Sequence, residues 1–452
     1  MVVKILLDSL GLDKSKFLIT QLISLIIGLA FRQFVKASPK NVVKRHVIEI
    51  LLGLCLGYFC FDNDFFHLIS IALISLFLMK TCPRNNIHII VFAFTIIYLS
   101  CVHLYFQIYF YGQKNFDITS PLMIFVQKLT YLAFSYSDGL KAKESLNDYQ
   151  KLNVLNEFPS MLEYFSYLFH FQGIIIGPGC NYKDYIEFID GTNIRKHHEK
   201  TFARNLKPSV RKALFKKILM VLIMSVIFFK FSLVYPFTSN IDPIILSSPF
   251  WYRILYLHFT CEGQRLYYYI PWTLSDAVNN ASGFGFNGYD DKGESKWDLL
   301  TNINILELET STSIKHVIDN WHIQSNIWLR RVLYERLPKG KTLGVFFISS
   351  LWHGFYPGYY FSLVFSAIVV YVGRGIRRNI RPMFQNKYLS LIYSIIGWII
   401  TQLLSAYMMC PFFLLKIESS IKFLNSFYWI GHIIIFILIF ILPKQSFKSK
   451  SS

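Results

Sequence analysis

The residue best suited to acid–base chemistry is His353, which lies in SSLWHGFYPGYYF within one of the longest apolar stretches of the chain. A titratable side chain is costly at membrane depth, so an ionisable residue in such a stretch indicates a functional site. An imidazole with a pKa of about 6.5 can remove a proton from a hydroxyl group at neutral pH. The alternative is a histidine that is satisfied by a helix neighbour or that lies among lipid headgroups.

A polar segment, Ser275–Lys341, interrupts the apolar sequence before His353. It is too aromatic for a disordered loop and too polar to cross lipid freely. Irregular backbone of this kind survives at a membrane only when it is buried in protein or lines a water-filled cavity. The segment is therefore a candidate site in its own right.

Within that segment, WHIQSNIWLRRVLYER has the spacing of an amphipathic helix, with Trp321, Trp328 and Leu329 on one face. Guanidinium groups bind phosphate bidentately, so the flanking arginines could meet an anionic ligand. The alternative is an interfacial helix with aromatic and basic anchors. The flanking arginines are Arg330, Arg331 and Arg336.

Gly283, Gly285 and Gly288 spell the dinucleotide-binding pattern GxGxxG. No apolar strand precedes it and no apolar helix follows it within a βαβ unit, so we interpret it as an aromatic-lined turn where backbone approaches a ligand. Asn280 begins a glycosylation sequon, Asn-Ala-Ser, which would stay unmodified in a cytosolic loop.

A polar pocket, a basic mouth and aromatic walls near His353 would suit transfer of a group from a soluble phosphorylated carrier to a lipid. A histidine base fits attack by a hydroxyl on a thioester. The sequence has no nucleophile motif such as GxSxG, so direct transfer is simpler than a covalent intermediate.

The elements that must position these residues are membrane helices. The 452 residues are 53% hydrophobic and 17% aromatic, with a mean hydropathy of +0.39. Crossing the bilayer takes roughly 20 apolar residues, which predicts an all-α polytopic bundle of about eleven membrane helices, some re-entrant or broken, around a buried reaction chamber. The clear candidates are Phe17–Phe34, Val47–Phe61, Phe65–Met79, Ile87–Tyr111, Ile218–Tyr235, Leu343–Val372, Leu389–Leu415 and Phe423–Leu442. The weaker candidates, which carry internal polar residues, are Pro121–Tyr136, Tyr164–Gly177 and Trp251–Trp272.

The net charge of +19 resides mostly in loops between these runs, and its densest clusters are Arg195–Lys217 and Arg374–Arg381. The positive-inside rule predicts that both face the cytosol and its anionic lipid headgroups. No basic patch lies on a soluble domain, so nucleic-acid binding is not predicted. The seven scattered cysteines show no metal-ligand spacing and predict neither a disulfide scaffold nor a metal site.

The two basic clusters conflict with a straight crossing by Leu343–Val372, which would leave Arg374–Arg381 outside. A bend at Gly354 or Pro357–Gly358 would make the run a re-entrant pair and place His353 deep in the protein. No repeat or Gly/Ser-rich linker is visible, so we predict one membrane-embedded domain over 1–452 with a cytosolic basic tail at 443–452. The first apolar run lacks a cleavage pattern and is predicted to be a retained span.

The chain resembles the membrane-bound O-acyltransferase superfamily, and within it the branch that acts on lysophosphatidylethanolamine and lysophosphatidylserine. The resemblance covers most of 117–383, where several motifs occur in one order. The similar segments are DITSPLMIFVQKLTYLAFSYSDG, FPSMLEYFSYLFHFQGIIIGPGCNYKDYIEFI, WTLSDAVNNASGFGFNGYD, WHIQSNIWLRRVLYER and SSLWHGFYPGYY.

The resemblance implies that His353 is the catalytic base. The position of His322 is usually asparagine in the family, so either His322 substitutes, or neighbouring Asn320 supplies the amide, or activity is altered or lost. Acyl-CoA would be a co-substrate, with no cofactor and no metal. The expected contacts to the CoA phosphates come from some of Arg330, Arg331, Arg336 and Lys339. The residues expected to line the acyl and lipid walls are Tyr356, Tyr359, Trp272 and Tyr268.

The function implied is acyl transfer from acyl-CoA to the free hydroxyl of a lysophospholipid in the endoplasmic reticulum membrane, as part of phospholipid remodelling. The C-terminal KSKSS, with Lys448 and Lys450, resembles a dilysine retrieval signal, although a generic basic tail has the same pattern. The alternatives are transfer to a protein or neutral lipid, a transporter or channel with His353 as proton relay, and a lipid-binding pseudoenzyme. The headgroup, the acyl chain and the oligomeric state are not predicted.

Overall fold

Helices form the regular structure of the residues that the computed structural model describes, 12–113, 116–198, 208–384 and 386–442. Within those ranges no strand forms, and one isolated β-bridge joins Tyr289 to Ser295. Lipid cannot satisfy the open edges of a sheet, which is why an apolar chain of this composition folds as helices. The all-α prediction is confirmed.

The helices are numbered in chain order. The first ten, α1 to α10, are Leu12–Phe34, Val42–Phe61, Phe66–Thr81, Ile87–Tyr109, Thr119–Asp138, Asp148–Asn153, Met161–Phe169, Tyr182–Asp190, Thr192–His198 and Arg211–Val234. The next ten, α11 to α20, are Pro243–Leu246, Phe250–Ser282, Ile305–Glu309, Ile314–Asn320, Ile323–Leu329, Lys341–His353, Pro357–Asn379, Lys387–Leu414, Ile417–Ser426 and Ile430–Ile441.

Six helical segments of the described residues are long and apolar enough to cross a membrane. A seventh forms if α19 and α20, which meet at 74°, count as one broken span. The multi-pass character is confirmed, whereas the count of about eleven is not. The six segments are Ser15–Phe34, Pro39–Thr81, Ile87–Tyr109, Arg211–Ile241, Pro357–Met383 and Lys387–Leu414.

Some predicted runs differ from the helices for identifiable reasons. The predicted run Tyr164–Gly177 is helical only to Phe169, because His170, with φ −58° and ψ 135°, leaves the helical conformation. Two runs predicted as separate spans lie within the single 43-residue segment Pro39–Thr81. The helix over Pro121–Tyr136 is present as α5, but almost every side chain on it is buried.

The chain divides into two compact units, each built from three separate stretches of sequence. The first consists of Met1–Met224, Tyr269–Ile303 and Gln324–Val332, and the second of Ser225–Tyr268, Asn304–Ile323 and Leu333–Ser452. The prediction of one domain over the whole chain stays a prediction.

In the first unit α5 packs against α3 and α4, and α2 packs against α7. In the second unit α16, α17 and α18 pack in sequence, and their core includes Phe365, Val369 and Met408. The short helix α14 contributes Ile314 to this core. The second unit therefore holds both apolar helices and the short helices that lead to His322.

The long run Leu343–Val372 is broken where the sequence predicted a bend. Helix α16 ends at His353, Gly354 has φ +113°, and α17 begins at Pro357. Glycine adopts a positive φ without a Cβ penalty, and proline suits the first turn of a helix, so the local sequence dictates the break. The break at this point is confirmed, whereas a bend between the two helices and a re-entrant path through the membrane stay predictions.

Candidate active site

Aromatic rings surround His353 at the end of α16. Its ring centroid lies 4.8 Å from that of Trp352, 5.1 Å from that of Phe412 and 5.7 Å from that of Tyr359. The Phe412 and Trp352 rings approach edge-on, at interplanar angles of 85° and 69°. Aromatic contacts of this kind restrict the orientation of the imidazole ring.

Phe412 follows Pro411, a proline that lies inside α18. The Phe412 N–H donates to Ser362 Oγ of α17 at 2.8 Å. A Cβ on Gly358 would lie only 2.0 Å from the Pro411 carbonyl oxygen, so the two helices approach closely here. The sequence analysis missed Phe412, although a proline inside an apolar helical run was a signal of altered backbone bonding at that point.

His322 lies between α14 and α15 with φ +51°. Asparagine, aspartate and histidine are the residues that tolerate this left-handed conformation best after glycine. The backbone therefore accepts either the family's usual asparagine or the histidine found here. The His322 ring centroid lies 5.8 Å from that of Trp352, a side chain that is only 1% exposed. Both histidines thus contact the same buried indole.

The charge state of His322 follows from its surroundings. The ring keeps some accessible surface, but protein atoms enclose it closely enough that desolvation lowers its pKa to about 3. At neutral pH the ring is therefore uncharged. A neutral imidazole carries one N–H donor and one acceptor nitrogen, as an amide side chain carries a donor and an acceptor.

Asn320 is the last residue of α14, and its side chain bonds within that helix. Its side-chain Nδ2 donates to the His316 carbonyl oxygen at 3.0 Å. The backbone carbonyl oxygen of Asn320 accepts from the Asn304 N–H at 3.1 Å. One of the two amide N–H groups is used to close the helix end. Both His322 and Asn320 therefore remain candidates for a donor at the second site position.

The predicted wall residues divide between the two units. Tyr359 lies beside His353, and its ring is 6.0 Å from that of Tyr356. The Tyr268 ring lies 5.8 Å from that of Trp321 and 6.1 Å from that of Phe413. These tyrosines belong to the second unit, whereas Trp272 is buried in the first.

The amphipathic helix predicted from WHIQSNIWLRRVLYER is not continuous. Helix α15 begins at Ile323, so Trp321 does not share its face with Trp328 and Leu329, and that prediction is wrong. The left-handed conformation of His322 separates them. Trp328 is buried and its Nε1 donates to Thr130 Oγ1 at 2.8 Å.

The basic residues predicted to bind phosphate are also divided. Arg330 and Arg331 fall in the first unit, in a π-helical turn, and Arg336 falls in the second. The Arg331 guanidinium stacks 4.0 Å from the ring centroid of Tyr149. Arg330 and Lys339 are exposed, and Arg336 is partly buried.

The glycine-rich loop forms a turn, as predicted, and no nucleotide fold. Gly283 and Gly288 have φ of +98° and +84°, and they follow a helix instead of a strand. Asn280 of the sequon is fully buried in α12, so burial excludes its glycosylation regardless of which side of the membrane the loop occupies.

Comparison with known proteins identifies the family to which the chain belongs. The family model for the membrane-bound O-acyltransferase family matches residues 103–413, and the chain belongs to that family. Among its relatives, the Drosophila melanogaster protein named lysophospholipid acyltransferase 6 is 40% identical over 97% of this chain and 63% of its own length. The human membrane-bound glycerophospholipid O-acyltransferase 2 is 37% identical over 98% of this chain and 87% of its own. A Schizosaccharomyces pombe lysophospholipid acyltransferase is 32% identical over 73% of this chain and 67% of its own.

These findings confirm the predicted family, which is that of the membrane-bound O-acyltransferases. The alternative of a transporter or channel does not match this family. This chain spans 63% of the length of the Drosophila relative. The roles of the individual site residues stay predictions.

Proposed function

We propose that the chain transfers a fatty acyl group from acyl-CoA to the free hydroxyl of a lysophospholipid. The observation that carries the proposal is the approach of His353 and His322 to one buried indole, in a chain related over nearly its whole length to glycerophospholipid O-acyltransferases. The names of these relatives favour a phospholipid acceptor over a protein or a neutral lipid.

His353 is the proposed general base. Its imidazole takes the proton from the lysophospholipid hydroxyl, and the oxygen attacks the thioester carbonyl carbon. The new C–O ester bond forms, the C–S bond breaks, and the imidazolium returns its proton to the CoA thiolate. Proton transfer by a positioned base contributes typically 10²- to 10⁴-fold in rate, which makes it the largest single contribution of one side chain here.

His322 is the proposed donor to the oxyanion that develops on the thioester carbonyl. A neutral imidazole at this site can donate one hydrogen bond without adding a second positive charge beside His353. Its left-handed backbone conformation is the one that the family's usual asparagine also tolerates. These two points support retained activity over a pseudoenzyme.

The proposed site must accommodate both the charged phosphates of CoA and the apolar acyl and lipid chains. Exposed Arg330 and Lys339 suit the phosphates of CoA, because cationic side chains pair with phosphate oxygens. We propose that Arg331 and Arg336 also contact the CoA phosphates. The acyl chain and the lipid tail would lie against aromatic walls of the second unit that include Tyr356, Tyr359 and Tyr268. The same role for Trp272 of the first unit stays a prediction from the sequence.

We further propose that the enzyme needs no cofactor beyond the acyl-CoA co-substrate and that it resides in the endoplasmic reticulum. The basic tail at 443–452 lies outside the described residues.

Turnover of a headgroup panel tests the function. Purified protein in lipid nanodiscs is mixed with oleoyl-CoA and lysophosphatidyl-ethanolamine, -serine, -choline, -inositol or -glycerol, and free CoA and the diacyl product are measured. CoA release that depends on one or more lysophospholipids, with matching product, is expected. Release without lysophospholipid, or no release with any of them, would overturn the proposal.

A further inference from the structure

The short helices α13 and α14 form a hairpin that leads directly into His322, and we name Asn304–Trp321 the delivery hairpin. The Asn304 N–H donates to the Asn320 carbonyl oxygen at 3.1 Å, so the two ends of the delivery hairpin are tied together. Ser313 caps α14 by accepting from the His316 N–H. The delivery hairpin is thus a compact element, and its placement decides where His322 lies.

A buried arginine of α12 holds the delivery hairpin at its turn. Arg265 is 7% exposed, and its Nη1 lies 2.7 Å from Glu309 Oε2 and 2.9 Å from Gln402 Oε1. Gln402 Nε2 donates in turn to the Glu309 carbonyl oxygen at 2.9 Å, and Trp398 Nε1 donates to the same oxygen at 2.7 Å. Both the side chain and the backbone of Glu309 are therefore fixed, from α12 and from α18.

The same face of α12 also contacts the other end of the delivery hairpin. Tyr268 lies one helical turn after Arg265, and side chains three residues apart lie on one side of a helix. The Tyr268 ring contacts Trp321, the residue that precedes His322. One turn of α12 thus contacts the delivery hairpin at Glu309 and at Trp321.

The Arg265–Glu309 ion pair joins a buried guanidinium to a carboxylate that is 31% exposed. Burying a charged group is a costly way to hold two elements together, since apolar side chains of similar volume often do so with equal or greater stability. What an ion pair with hydrogen bonds adds is direction, because the guanidinium fork and the amide accept few geometries. Direction matters for catalysis, since a shift of about 1 Å in a reacting group can lower the rate roughly a hundredfold.

We propose that Arg265 is a positioning residue, which sets the location of His322 by clamping Glu309 and Gln402. The turnover part of this inference rests on the proposed function, because it assigns the clamp to the same reaction. Arg265 acts through the delivery hairpin and has no part in proton transfer.

The test compares Arg265→Gln with Arg253→Gln in the purified full chain. Arg253 is the matched control, because it is an 8% exposed arginine of the same helix whose Nη1 donates to the Ser426 carbonyl oxygen, away from the delivery hairpin. R265Q is expected to lower kcat roughly tenfold or more, with KM for both substrates within about twofold, and R265K to recover part of the loss. Equal loss in R253Q, or a loss confined to KM, would overturn the proposal.

A double-mutant cycle with His322 separates positioning from general destabilisation. If Arg265 acts through His322, R265Q should cost less than about twofold in a His322→Ala background, although it costs roughly tenfold in the native chain. An equal factor in both backgrounds shows that the two residues act independently. If R265Q does not purify as folded protein, Glu309→Gln removes the same ion pair and takes its place in the cycle.

Hydrogen–deuterium exchange gives a readout that needs no turnover. In R265Q the amides of the delivery hairpin should exchange faster than in the wild-type protein, and in R253Q they should not. Unchanged exchange overturns the clamp even if the enzyme is active. Faster exchange in a chain that acylates no lysophospholipid would leave the clamp standing and remove the proposed function.

Discussion

Two regions of the chain bury ionisable side chains in apolar surroundings, and they do so in different ways. The first unit holds a buried charge cluster, and the second holds the two histidines of the candidate site. The buried charge cluster consists of Arg45, Glu49, Lys128, His170 and Gln172, each of which is at most 2% exposed.

In the buried charge cluster the polar atoms bind the protein itself. Glu49 accepts from Gln172 Nε2 at 2.8 Å and from the Phe171 N–H at 3.3 Å. Lys128 Nζ donates to the Leu168 carbonyl oxygen at 3.0 Å. These bonds join α2 to the segment that follows α7 and join α5 to α7 itself, so the cluster has a structural role that its own contacts explain.

The candidate site instead surrounds its two histidines with aromatic rings. Contacts with Trp352, Tyr359 and Phe412 fix how the histidine rings are oriented. The comparison teaches that burial of an ionisable group does not by itself identify chemistry. The type of neighbouring group distinguishes an ionisable residue with a structural role from a candidate catalytic residue.

Replacing His353 should have the largest effect on turnover. His353→Ala is expected to lower acyl transfer by about 10²- to 10⁴-fold, because the proposed general base is lost, while the folded fraction stays unchanged. The measurement is CoA release together with thermal unfolding in detergent.

The matched control is His432→Gln, which alters another histidine of the second unit, bonded to Tyr407 at 2.8 Å. It should retain turnover. Normal turnover of the His353 variant would show that the base lies elsewhere.

Replacing Glu49 should have the opposite result. Glu49→Ala removes one partner of a buried network and is expected to lower the free energy of unfolding by about 3–5 kcal/mol. Turnover per folded molecule should remain within about twofold, because the cluster does not react. Thermal unfolding and active-site-normalised rates check this, and a folded but inactive variant would move the cluster into the catalytic machinery.

Substitutions of His322 test which hydrogen-bonding group the second site position must supply. His322→Ala removes the donor and should cost about a hundredfold in kcat. His322→Asn keeps a neutral donor and a residue suited to φ +51°, so turnover within about threefold of wild type is expected. A severe loss in the asparagine variant would mean that the imidazole has a role that an amide cannot fill.

The smallest effect concerns acid stability. In the folded chain the pKa of His322 is lowered to about 3, below that of the unfolded chain, so the unfolded state binds the proton first. This contribution to stability is present above pH of about 6.5 and is lost as the pH falls toward 3. His322→Asn should therefore lose roughly one to two degrees less in Tm than wild type between pH 7.5 and roughly 5.5. Equal losses would show that the ring is not held neutral.

The sequence predicted those features that depend on local chemistry. Gly354 and Pro357 identified the break after His353, and the motif order identified the family. The hydropathy of the long runs predicted an all-helical membrane protein.

The features that it did not predict depend on partners distant in sequence. Nothing beside Arg265 indicates that Glu309 and Gln402 will meet it, since those contacts span 44 and 137 residues. The periodicity of Trp321 and Trp328 suggested one helix face, because a pattern count cannot detect a single left-handed residue between them. The polar weaker runs were counted as spans for a similar reason, since burial in protein and burial in lipid give the same composition.

The break at Gly354 has a further electrical consequence. His353 occupies the last turn of α16, where the carbonyl groups of the helix are not bonded to later amides of the same helix. That end of a helix carries roughly half a negative elementary charge. In the proposed reaction the ring would take a proton from the lipid alcohol and become a cation, which the helix terminus would attract. The turn that ends the helix would then help to stabilise the charge that appears halfway through that reaction.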